Sequence, residues 1–157
     1  MTIPIDKQCD VVILGVPNFT PYSVGSVMNP LILHNLVLGY FYNANSGKPP
    51  LKKGGIIIIS NPVYEKFDPK QHPSYIDFYD VLSGKPDIFK LKSVEKTYLS
   101  NKKYSEKYRN SFAYHGTHVL MIYYFSVLGL LNVGRVIVAG AKSRRALKIL
   151  GFNYAKN

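Results

Sequence analysis

Three stretches of the chain are nearly unbroken apolar runs rich in β-branched residues: 9–16 (CDVVILGV), 54–60 (GGIIIIS) and 134–141 (GRVIVAGA). A half-exposed antiparallel strand would alternate apolar and polar side chains. Continuous runs of this length predict parallel strands buried on both faces. Between the first two, residues 26–43 (SVMNPLILHNLVLGYFYN) are long enough for a helix of three to four turns, with Pro30 tolerated in a first turn or at a kink. Strand, helix and strand in that order predict a βαβ unit, right-handed by strong preference.

The second half repeats the logic. Residues 74–82 (SYIDFYDVL) predict a short helix with Pro73 near its start. Residues 84–110, rich in Lys and Tyr with weak periodicity, predict an exposed helical excursion. Residues 117–131 (THVLMIYYFSVLGLL) are apolar all round, which predicts a buried helix leading into the third strand. Residues 143–152 (SRRALKILGF) predict a short closing helix. The expectation is a single α/β domain over residues 1–157: a small, mostly parallel sheet of three or more strands with helices on both faces.

Composition narrows the class. The chain is 46% hydrophobic and 18% charged, which fits a globular protein, and Cys9 is its single cysteine. That rules out an intramolecular disulfide framework and a thiolate-rich zinc site, and Cys9 reads as a small buried hydrophobe. The N-terminus MTIPIDKQCD lacks the basic and apolar regions of a signal peptide, and no apolar stretch has the ~18–20 residues of a membrane span. The expectation is a cytoplasmic protein without membrane contact. Net charge is +11, unevenly placed: residues 1–47 have Lys7 as their only Lys or Arg, whereas 85–109 hold eight. Such a field favours anionic partners without choosing among them.

In a parallel α/β fold each helix begins at the sheet's carboxyl edge, where ligands bind. Four segments should share that rim: 17–26, 61–73, 113–118 (AYHGTH) and 141–145. They bring Asn18, Tyr22, Asn61, Tyr64, Asp68, His72, Tyr114, His115, His118, Lys142, Arg144 and Arg145 together as cleft candidates, while His34 belongs within a helix. His115 and His118, three apart, suit one helix face, and with His72 they could form a zinc site or a proton shuttle near neutral pH. The bland alternative is that Thr117 or His115 caps the helix and Gly116 permits the turn. Asp68, flanked by Pro69 and Pro73, reads as a turn residue. Lys142, Arg144 and Arg145 could hold a carboxylate or phosphate, or be a solvated basic face. Fingerprints for dinucleotide, P-loop nucleotide and serine-hydrolase sites are absent from the sequence.

The stretches CDVVILGVPNFTPYSVGSVMNPLILHN, LKKGGIIIISNPVYEKFDPKQHPSYIDFY, AYHGTH and VGRVIVAGAKS, which cover most of the chain outside the Lys/Tyr-rich segment, resemble the C-terminal lobe of the nickel-pincer lactate racemase family of 2-hydroxyacid racemases and epimerases. The resemblance implies a partner N-terminal lobe, on the same or a separate chain, that holds the catalytic histidines and the nickel-pincer nucleotide. This chain would then bind no cofactor alone, assign no catalytic residue, and close over an anionic substrate. Relatives present a glutamine and a lysine from the loop after the first strand. PNFTPYSVGSVMNP has neither, which points to a divergent branch with a different substrate. Two alternatives stand beside it: a stand-alone metal-binding enzyme using His115 and His118, and a basic nucleic-acid-binding module that stacks bases on Tyr98, Tyr104 and Tyr108. Since tyrosines so spaced more often pack an amphipathic helix, nucleic acid is the less favoured partner.

Overall fold

The computed structural model describes residues 6–19, 27–43, 46–84 and 91–155. Strand β1 (Cys9–Gly15) pairs in parallel with β2 (Leu51–Ser60), β2 with β3 (Arg135–Ala139), and β3 with a two-residue β4 (Asn153–Tyr154), so the sheet runs in sequence order. The expected class is what the structure shows: a small parallel α/β sheet flanked by helices. β4 extends it by one strand, too short to announce itself by periodicity.

Asn29 starts the first helix, α1 (Pro30–Asn35), accepting the N–H groups of Leu31 and Ile32, and Pro30 occupies the first turn as expected. Beyond it the chain widens into a π-helical turn, Leu36–Phe41, in which the Tyr42 N–H reaches the Val37 carbonyl at 3.2 Å. Then come α2 (Pro73–Ser83), α3 (Lys92–Ser100), α4 (Lys102–Asn110), α5 (His118–Asn132) and α6 (Arg144–Leu150). The π-helical turn packs tightly on α5: a Cβ on Gly129 would lie 2.1 Å from the Leu38 carbonyl oxygen, so only glycine fits.

Ile57, Ile59, Val136 and Val138, alternating along β2 and β3, form one core with Leu31, Ile32 and Leu38, with Val119 and Ile122 of α5, and with Leu147 and Leu150 of α6. Val12 and Leu14 pack against it from β1. The intervening residues of the edge strand β1 point elsewhere: Val11 is 45% and Ile13 75% exposed. A continuous apolar run therefore does not mean burial on both faces at β1, where no strand pairs the outer edge among the described residues. Cys9, expected to be buried, is half-buried.

One other expectation changes and one is refined. Helix α5 is not buried all round, since Met121, Leu128 and Leu131 are exposed. The Lys/Tyr-rich segment is helical and largely exposed, as expected, but a packed face anchors it. Tyr98 and Tyr104 are buried, Tyr104 donates its hydroxyl hydrogen to Asp77 of α2, and Tyr124 of α5 donates to Glu95 of α3 at 2.7 Å. Residues 85–90 of that segment lie outside the described residues. Among the described residues no helix is long and apolar enough to cross a membrane.

Sheet and helix directions locate the rim. Helix α5 ends just before β3 begins, beside the middle of β2, where the Gly134 N–H reaches the Gly55 carbonyl at 2.9 Å. Its first residue, His118, thus lies toward the carboxyl edge, a helix length of about 22 Å away.

Candidate functional site

At the carboxyl ends of β1 and β2, Asn61 acts as a clamp. Its Nδ2 donates to the carbonyls of Val16 (3.0 Å) and Pro17 (3.2 Å), while its Oδ1 accepts the Val63 N–H at 2.8 Å. Asn61, Val16 and Val63 are buried, while Pro17 is exposed. Val63 takes φ 45°, a left-handed conformation that a β-branched residue rarely adopts. The bond from Asn61 holds the chain there. Asn61 was a cleft candidate, and its polar atoms are instead occupied in joining two loops. Asn18 is exposed, with its carbonyl accepting from Met28. Tyr22 lies outside the described residues.

The next segment turns on Asp68. Its Oδ1 accepts from the N–H groups of Lys70 (2.8 Å) and Gln71 (3.1 Å), and its carbonyl accepts from His72, the turn role read from the sequence. The turn delivers His72 to the start of α2, fully buried, with its ring stacked on Tyr114 (centroids 5.0 Å apart, planes 10°) and edge-on to Tyr75. Tyr114 also packs against His118 at 4.5 Å, and the Tyr75 hydroxyl lies 2.7 Å from His118 Nδ1. Three of the sequence candidates, His72, Tyr114 and His118, therefore meet, and Tyr75, which the sequence reading placed only on a helix, completes the group.

Both histidines of this group are neutral at physiological pH. Burial lowers His72 to about 4, with nearby Asp68 opposing and His118 reinforcing the shift, and burial lowers His118 as well. Neither His72 ring nitrogen has a hydrogen-bond partner among the described residues. With Tyr75 donating, a neutral His118 keeps its own proton on Nε2.

His115 faces a different neighbour. Its Nδ1 lies 2.8 Å from Thr117 Oγ1 and accepts the Thr117 N–H at 3.3 Å, bonds within the turn before α5, and neither side chain caps the helix as the bland reading expected. Gly116 does not serve a left-handed turn, since its φ is not positive. It makes room: a Cβ there would lie 2.7 Å from Tyr104 Cδ2. Among the described residues no group of three or more His, Cys, Asp or Glu side chains is placed to hold a metal ion.

The basic residues after β3 are largely engaged. Arg145 pairs with Glu65 and lies over the Tyr79 ring at 5.4 Å, Arg144 lies over Tyr154 at 4.8 Å, and Ser143 both caps α6 through the Ala146 N–H and donates to Glu65. Burial pushes the Glu65 carboxyl up, but the bonds from Ser143 and Arg145 and the guanidinium charge outweigh it, leaving it below the usual range. The exposed Lys142 ties its backbone N–H to Pro62. Glu65 escaped the sequence reading because its partners lie about eighty residues away. His34 is a core residue, held at 2.7 Å to Ser126 and stacked between Tyr123 and Phe152.

Comparison with family models, curated proteins and solved structures found no match to this chain.

Proposed function

We propose that the chain is the substrate-covering C-terminal lobe of a lactate racemase-like 2-hydroxyacid racemase or epimerase, working in the cytoplasm with a separate catalytic lobe. The observation that supports this reading is the meeting of His72, Tyr75, Tyr114 and His118 toward the carboxyl edge, as neutral polar groups within an aromatic wall. Such a wall suits a lobe that orients a small polar substrate and excludes water rather than one that supplies the reacting base. The Tyr75–His118 pair can hold a hydroxyl proton in place, and the net charge of +11 favours a carboxylate. The nickel-pincer nucleotide, which would accept the hydride in such a reaction, is assigned by the resemblance to the other lobe, and no residue here is offered as its holder.

The test is amide NMR of the full 157-residue chain titrated with D- and L-lactate and longer 2-hydroxy acids, beside a racemisation assay. Saturable shifts at His72, Tyr114 and His118, without enantiomer interconversion by the chain alone, are expected. Racemisation by the purified chain, or no response at high millimolar ligand, overturns the reading.

A further inference from the structure

The solvent side of α5 is apolar along its length. Met121, Tyr124, Leu128 and Leu131, spaced three, four and three apart, fall in one line, the seam spacing of helices that pack side by side. Met121, Leu128 and Leu131 are between 47% and 61% exposed, and Tyr124 is half-buried. The helix holds no Lys, Arg, Asp or Glu, although the chain has a net charge of +11. Continuous exposed apolar surface of this kind marks an interface. The stripe widens on both flanks. On one, the exposed Tyr40 packs its ring against Phe125 with centroids 5.5 Å apart. On the other, a hollow of about 240 Å³ opens between α3 and α5, lined by Glu95, Leu99, Thr117, Leu120, Met121 and Tyr124. Glu95, the one acidic or basic residue of that lining, accepts the Tyr124 hydroxyl, and Leu99 is 62% exposed.

We infer that this stripe is the contact between two copies of the chain, paired antiparallel about a two-fold axis at the level of Ser126. The spacing carries the argument. Three, four, three reads the same in both directions, so an antiparallel second copy sets Leu131 against Met121 and Leu128 against Tyr124, each contact made twice. The hollow gives each end of the seam a seat: Leu131 of one copy lies beside Met121 of the other, where Leu99 and Leu120 complete an apolar wall. Knob and hollow are about 15 Å apart on one helix, so a single two-fold operation fills both hollows. With Leu99 and Tyr40 the stripe offers roughly 500–600 Å² per copy, so the pair buries about 1,000–1,200 Å², the threshold of a specific interface, and a micromolar Kd is expected. A seam without Lys, Arg, Asp or Glu keeps the positive charge of each copy at a distance, where salt screens it. Leu128 and Leu131 lie two to three turns from His118, away from the rim, and the contact uses none of the His/Tyr group.

Sedimentation equilibrium of the full 157-residue chain over a range of concentrations is the test. A monomer–dimer equilibrium is expected, and it should tighten as salt is raised, because screening removes the repulsion between two cationic copies. Leu131→Glu and Met121→Lys, both at exposed positions, should each weaken the dimer at least tenfold while leaving the far-ultraviolet circular dichroism unchanged. Mixed in equal amounts, the two variants should associate more tightly than either alone, because the antiparallel register brings the introduced carboxylate onto the introduced amine. Ile13→Lys should leave the equilibrium unchanged, which separates this contact from association through the edge of β1. A chain that stays monomeric at high micromolar concentration, a dimer that Leu131→Glu does not weaken, or a mixture no tighter than its components would each overturn the inference. So would a monomer whose stripe binds phosphatidylcholine vesicles instead, with Leu131→Glu abolishing that binding.

Discussion

The Tyr75 hydroxyl and His118 Nδ1, 2.7 Å apart, tie the second helix to the fifth across 43 residues of chain. Tyr75 is fully buried, so this bond is shielded from water on one side and orients the ring of the histidine, whose pKa is lowered by burial. The 61–73 loop and the AYHGTH turn are also joined directly, by the Tyr114 N–H to the Gln71 carbonyl at 2.8 Å.

Tyr75→Phe removes that bond while keeping the ring. The loss of a donor to a half-buried nitrogen should cost about 1–2 kcal/mol in urea unfolding. A hydrogen bond to the neutral imidazole favours the neutral form, so its removal should raise the His118 pKa from its lowered native value toward the ordinary one. Titrating the histidine Cε1–H resonances of both proteins measures this. An unchanged His118 titration would mean the hydroxyl does not set its charge.

Stability should fall on acidification through a defined window. His34 is fully buried and its pKa is lowered by burial to about 3, and His72 is lowered to about 4. Both are neutral in the folded chain while the unfolded chain protonates near 6.5, so the unfolded state binds more protons between those values. Their contribution is fully present above about pH 6.5 and is lost as pH drops toward 3–4, with Glu65, also lowered, adding to the loss below its own usual range. Urea midpoints at pH 7.5, 6, 5 and 4 should decline progressively. His34→Gln, which can still donate to Ser126, should flatten the part of the slope that His34 causes.

Asn61→Ala should be among the most damaging single changes at the rim. It leaves the Val16 and Pro17 carbonyls and the Val63 N–H without their partner, and it releases a valine held at φ 45°. A loss of roughly 2–4 kcal/mol is expected from breaking a buried network of this kind. Hydrogen exchange should localise it, with the Val63 amide becoming far faster than amides in the centre of β2. A uniform small increase across the sheet would argue that Asn61 is not the clamp.

Much of the frame is legible in the sequence because it rests on local signals. The β-branched runs mark β1 to β3, and Asn29 with Pro30 marks the start of α1. The failures share a cause, which is that they depend on what packs against an element. The run at β1 cannot show that Ile13 lies on an open face of an edge strand, whereas the spacing of Tyr98 and Tyr104 does point to the packed helix face they occupy. At the site, the histidines were visible as residue types, but their partners were not. His72 meeting Tyr114 and Glu65 meeting Arg145 are contacts across 42 and 80 positions that no spacing encodes. Even a correct placement of His115 and His118 on one turn could not reveal that one ring bonds Thr117 and the other Tyr75.

Ile13→Lys tests the open face of β1. At 75% exposure the isoleucine contributes little to the core, so the change in unfolding free energy should stay within about 0.5 kcal/mol. A lysine on an edge strand whose outer side no strand pairs among the described residues also opposes edge-to-edge association, so the variant should remain monodisperse at higher concentration in light scattering. A large loss of stability would show that this face is covered in the folded protein.

Gly116→Ala tests how α4 is held against the turn that carries the histidines. The added methyl would lie 2.7 Å from Tyr104 Cδ2 and 2.8 Å from its Cβ, too near for both to stay in place. Tyr104 is buried and bonded to Asp77, so it cannot swing away freely, and overpacking of about 1–3 kcal/mol is expected. Tyr104→Leu alone should also destabilise, by losing ring contacts and the Asp77 bond. The two changes together should cost less than their sum, because the smaller side chain makes room for the methyl. A double-mutant cycle in urea measures that coupling directly. If the costs simply add, the space at Gly116 is not what fixes α4, and the glycine serves the backbone of the turn instead.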